Sequence, residues 1–176
     1  MRRLQHMIGM SALILLGIGV MAAQAEPQFA GSWVLDRSQS QFPAHEGRGQ
    51  RPPDAQGQPE PAQVTLVVAQ QGNTLKVTKT FAMGTRQHSM TDTIVADGSD
   101  QTHHGYHGNV VTRSTFEGDR LVVTQTRMKK TDQGDQTTSQ RQSTWTLSPD
   151  GRILTIETTM HSSRGDHAMK TVYQRS

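Results

Sequence analysis

Gln71-Gly72-Asn73-Thr74-Leu75-Lys76-Val77-Thr78-Lys79-Thr80 is the stretch whose pattern decides the fold. A Gly-Asn turn leads into a segment that alternates apolar with polar residues, the period of a half-buried strand. The same grammar returns as Gly118-x-x-Leu121-x-Val123 and Gly151-x-x-Leu154-x-Ile156. Gly, Asn and Asp, which tolerate the positive φ of tight hairpins, mark further turns at Asp97-Gly98-Ser99, Asp132-Gln133-Gly134-Asp135 and Arg164-Gly165-Asp166, with weaker ones near Gly84 and Gly108. Thr occurs 21 times, and no segment shows a competing helical period.

These turns divide the chain into ten strands, at 29-36, 62-70, 74-82, 85-96, 101-106, 109-117, 120-130, 136-147, 153-162 and 167-174. So long a meander leaves two exposed edges unless its first strand pairs with its last. The expectation is an all-β fold: an antiparallel up-and-down meander of about ten strands, closed or nearly closed into a barrel.

Outside the meander, Arg2 and Arg3 precede the uncharged run Met7 to Ala23, which ends at Ala23-Gln24-Ala25. That is the layout of a cleavable signal peptide over residues 1-25, and the run, broken by three glycines, is short for a membrane span. The chain is therefore expected to be exported, periplasmic or secreted if bacterial, with residues 26-176 forming a single barrel domain and no stable membrane insertion after cleavage. There is no cysteine, so no disulfide framework and no lipid-bearing thiol. Losing Arg2 and Arg3 reduces 18 basic side chains to 16 against 15 acidic ones, and so nearly neutral a chain lacks the footprint of a nucleic-acid binder. Residues 38-61, rich in Pro, Gly and Gln, form a long loop, either a lid or disordered.

Phe29-Ala30-Gly31-Ser32-Trp33-Val34-Leu35-Asp36, followed by hairpins, resembles the opening of lipocalin-like proteins, which carry Gly-x-Trp in their first strand. It is similar also to a group of small secreted bacterial proteins with this opening and a Pro-Asp-Gly hairpin near the end. The resemblance implies a barrel that holds a ligand and is closed at one end by Trp33, with Gly31 and Trp33 structural. A large ring with a single N–H suits such a plug. Ten strands in place of eight depart from the lipocalin pattern.

Alternate turns of a meander lie at opposite ends, which sorts the side chains. Near one end, Leu75 and Val77, Leu121 and Val123, Leu154 and Ile156, and Trp145 share a face with Trp33. Further along the same faces stand Lys79, Gln125, Arg127, Arg141, Thr158 and Met160. If those faces are interior, the barrel has an apolar closed base and a cationic mouth. A register slip of one residue would turn every one of them outward.

Three functional readings follow. In the first, Arg127 and Arg141, helped by Lys79 and His88, grip the anionic head of a small amphiphilic ligand, because Arg presents a planar fork to a carboxylate. In the second, His103-His104-Gly105-Tyr106-His107-Gly108 binds zinc or copper through His103 and His107. On a regular strand those two lie about 13 Å apart, so a bend at Gly105 or a contribution from His88 would be required. In the third, the protein is an envelope or extracellular interaction module without a cavity, its protein partner unknown. Arg164-Gly165-Asp166 reads as turn chemistry. No cysteine nucleophile, Gly-x-Ser-x-Gly elbow, phosphate loop or His-Glu-x-x-His helix points to an enzyme.

Overall fold

The computed structural model describes residues 27-43, 63-105, 108-131, 134-163 and 165-176. The expected signal peptide, residues 44-61 of the loop expected at 38-61 and His107 lie outside the described residues, whereas residues 38-41 of that loop are the end of the first strand. Every element among the described residues is a strand: β1 (Gly31–Gln41), β2 (Gln63–Gln71), β3 (Thr74–Met83), β4 (Arg86–Val95), β5 (Asp97–Gly105), β6 (Gly108–Glu117), β7 (Arg120–Thr131), β8 (Gly134–Leu147), β9 (Ile153–Ser162) and β10 (Gly165–Arg175).

They form one ten-stranded antiparallel sheet in the order β4-β3-β2-β1-β10-β9-β8-β7-β6-β5. The first strand pairs with the last, from Trp33 opposite Arg175 to Asp36 opposite Val172. The sheet thus curls into a nearly closed barrel whose free edges, β4 and β5, are consecutive in the chain.

The hairpin expected at Asp97-Gly98-Ser99 is the exception. Asp97 Oδ1 accepts hydrogen bonds from the Ser99 backbone N–H (2.8 Å) and hydroxyl, forming a local turn inside β5, where the pairing with β6 shifts register between Asp97 and Asp100. The link between β4 and β5 is Ala96, buried and donating its N–H to the Asn73 carbonyl at 2.7 Å. Anchored there, the chain turns toward β6, so the two strands part instead of pairing. Asn and Asp do not supply positive φ: among the described residues only glycines adopt it.

The apolar faces read from the sequence point inward and pack one end. Trp33, Phe29, Leu75, Leu121 and Leu154 are wholly buried there, with Val77, Val123, Trp145 and Ile156 close above them. Burial of each large side chain contributes about 1.5–3 kcal/mol. Phe29 lies ahead of β1 rather than within it and plugs the base, stacked parallel to Phe116 (centroids 6.5 Å) and edge-on to Trp145 (6.0 Å). Gln70 ties this segment down, accepting from the Phe29 N–H at 2.8 Å and donating to the Pro27 carbonyl at 3.0 Å.

Trp33 donates its indole N–H to the Phe29 carbonyl at 3.0 Å, and the Arg175 guanidinium lies 4.4 Å above its ring. Gly31 is required beside this stack. Its φ is +145°, and a Cβ there would meet Arg175 Nη1 at 2.7 Å.

Candidate functional site

Strand alternation carries each inward face from the base to the mouth. On β3 it runs Leu75, Val77, Lys79, Phe81; on β8, Trp145, Ser143, Arg141, Ser139; on β7, Leu121, Val123, Gln125, Arg127. The register aligns these ladders, with Arg141 opposite both Gln125 on β7 and Met160 on β9, and Arg127 opposite Ser139.

Two cavities occupy the interior. One, of about 390 Å³, is walled largely by apolar side chains, including Leu35, Val77, Phe81, Ile94 and Trp145, and contains Lys79. The other, of about 600 Å³, is walled by β6 to β10 and lined by the polar side chains of Gln125, Arg127, Thr138, Ser139 and His167 together with Val110 and Met160. Arg141 stands in the wall of both. Polarity runs across the barrel: Phe81, Met90 and Ile94 keep the lining apolar on the β3–β4 side, while on the β7–β9 side Gln125, Arg127, Ser139 and Arg141 stand beside Met160. Periodicity along single strands carries no record of which strands face one another, so this division was not legible in the sequence.

Burial, and secondarily the charge of Arg141, hold the Lys79 ammonium below its ordinary value; its Nζ lies 4.9 Å from the centre of the Phe81 ring. Among the described residues no acidic group lies within ion-pair distance of Lys79, Arg127 or Arg141. Asp92 faces the apolar cavity from β4 but pairs with neither Lys79 nor Arg141. Like charges gathered in a partly dehydrated space repel, and an anion bound between them relieves that repulsion.

His88 lies opposite Phe81, exposed at the rim and away from the arginines. His103 lies opposite Val110, whereas its neighbour His104 is on the other face, with Nδ1 2.9 Å from Asn109 Oδ1. Among the described residues no three His, Cys, Asp or Glu side chains are grouped to hold a metal ion. His167 lines the polar cavity opposite Met160. Arg175, the guanidinium over Trp33, was not singled out from the sequence; its partners come from β1 and the β8–β9 turn, remote in the chain.

No protein-family model matches the chain, and no curated protein sequence matches it. Solved structures do. The ileal bile acid-binding protein of zebrafish, complexed with cholic acid, superposes with a TM-score of 0.52 at 14% identity, over 84% of this chain and 98% of that one. Apo lipid binding protein 8 of Caenorhabditis elegans has a TM-score of 0.49 at 15% identity, over 84% and 95%. The zebrafish likeness shows a shared barrel fold. These neighbours are barrels of the fatty-acid-binding-protein kind, related to but distinct from the eight-stranded lipocalin barrel suggested by Gly31 and Trp33.

Proposed function

We propose that this chain is an exported carrier that holds a small anionic amphiphile, its apolar part against Val77, Phe81 and Ile94 and its acidic group between Arg141, Lys79 and Arg127. The observation that carries this reading is Lys79 and Arg141, without an ion-pair partner among the described residues, in the wall of a largely apolar cavity of about 390 Å³ that Arg37 and Asp92 also line. Lys79 is half-buried and the exposed Arg141 lies near enough to lower its pKa, so an anionic group bound between the two would relieve their repulsion, and the arrangement fits a site whose counter-ion is the ligand. A cavity of this size falls in the usual range for small-molecule sites. That a barrel of the same fold takes cholic acid agrees with a small acidic guest, although fold alone assigns no ligand.

The test is affinity for a panel of fatty acids, measured for the wild type and for the Arg127→Ala, Arg141→Ala double variant. Charge-assisted hydrogen bonds contribute about 1.5–3 kcal/mol each, so the double variant should lose at least about tenfold in affinity. Absence of binding at millimolar ligand would end the reading.

A further inference from the structure

A fatty acid uses only half of this interior. Its carboxylate would sit at Arg141 and its chain in the apolar cavity, leaving the larger, polar space of about 600 Å³ to water. The wall of that space is built for more than solvent. Gln125, Ser139 and Ser163 present an amide and hydroxyls to it, groups that both donate and accept hydrogen bonds as alcohols require.

A β-bulge adds one more. Arg127 pairs with Ser139 but the adjacent Met128 pairs with Thr137, so Thr138 is the extra residue, and Thr138 and Ser139, neighbours in sequence, both line the cavity. The Thr138 hydroxyl donates to the Arg127 carbonyl at 3.2 Å, which fixes the bulge.

Resting on the carrier reading above, we propose that the preferred ligand carries its acidic group in the middle of the molecule: a phosphodiester joining a singly acylated glycerol to a hydroxyl-bearing head, as in a lysophospholipid. Arg141 is the residue common to both cavities, so an anion held there has apolar space on one side and polar space on the other. A terminal carboxylate has nothing to place on the second side. A phosphodiester also offers two unesterified oxygens to the guanidinium fork. At about 30 Å³ for each water-sized group, the apolar cavity of about 390 Å³ accepts a chain of about twelve carbons.

The experiment compares lauroyl lysophosphatidylglycerol with dodecanoate, each titrated below its micelle concentration into the wild type and into Arg141→Gln and Ser139→Trp variants, by calorimetry. In the wild type the lysophospholipid should bind at least about tenfold more tightly than the fatty acid. Arg141→Gln should weaken both ligands by about tenfold. Ser139→Trp, which fills the polar cavity, should bring the ratio of the two affinities close to one while dodecanoate still binds, and that binding also reports that the barrel is folded. Equal or tighter binding of dodecanoate by the wild type, or a ratio that Ser139→Trp leaves untouched, overturns the internal-anion proposal and leaves the carrier reading standing. Binding of neither ligand overturns both.

Discussion

Replacing Arg175 by Ala removes a side chain that ties three remote segments together at the closed end. Its Nε donates to the Gly151 carbonyl at 2.8 Å, its Nη1 to the Ala30 carbonyl at 3.1 Å, and its guanidinium lies 4.4 Å above the Trp33 ring. Because Arg175 is exposed, each hydrogen bond is worth about 0.5–1 kcal/mol, and the cation–π contact about 0.5–1 kcal/mol. The total is about 2 kcal/mol, or a fall in Tm of about 4–8 °C for a domain of this size. Arg175→Lys keeps a cation near the ring but loses the fork, and should recover less than half. Gly31→Ala attacks the same contact from the other side, since its Cβ would occupy the place of Arg175 Nη1 at a φ of +145°. The two changes should therefore cost less together than the sum of their separate effects. Urea unfolding of the four single and double variants, with the slope checked for constancy, measures all of this. A loss below about 0.5 kcal/mol for Arg175→Ala, or strict additivity with Gly31→Ala, would refute the reasoning.

Leu154→Ala empties a wholly buried position in the base and should cost about 3–4 kcal/mol in the same denaturation assay. Lys79→Met removes a cation held below its ordinary value of 10.5 by burial and by Arg141. The folded wild type binds fewer protons at that site than the unfolded chain, so its stability rises with pH on the alkaline side up to about that value; the variant should be more stable at neutral pH and lose that slope, as read from melting curves against pH. Asp36, whose carboxyl is lowered from 3.8 to about 2 first by the Ser38 hydroxyl and then by the Gln174 amide, supports the fold above its unfolded value and stops doing so as pH falls through about 2. Asp36→Asn should flatten that acid limb, followed by circular dichroism. Asp92→Asn removes the acid facing the cationic cavity and should tighten dodecanoate binding a few-fold in calorimetry, whereas weaker binding would place Asp92 among the groups that hold the ligand.

Much of the site was legible because a strand repeats every two residues. Leu75 and Val77 being inside forces Lys79 to the same side, and Trp145 does the same for Arg141. Arg127 follows Leu121 and Val123 in the same way. His88, grouped with the arginines from the sequence, is exposed near the start of the edge strand β4 and lines neither cavity. The Asp97 turn was misplaced because an Asp-Gly-Ser run makes an Asx turn as readily inside a strand as between two. What sends β5 toward β6 is the Ala96 bond to Asn73, a contact 23 residues back along the chain.

By itself, then, the sequence determined the all-β class, the number of strands and the apolar residues that pack the base, because these follow from turn chemistry and a local period of two; the side on which Lys79, Arg127 and Arg141 stand also needs the register between strands. The tertiary structure decided which strands leave the barrel edges unpaired, that its polarity runs across it, that Arg175 covers Trp33, and that Arg141 belongs to two cavities at once. Each of these depends on which strands face one another across the interior, and that is set by curvature and register between segments far apart in the chain, which no local pattern encodes.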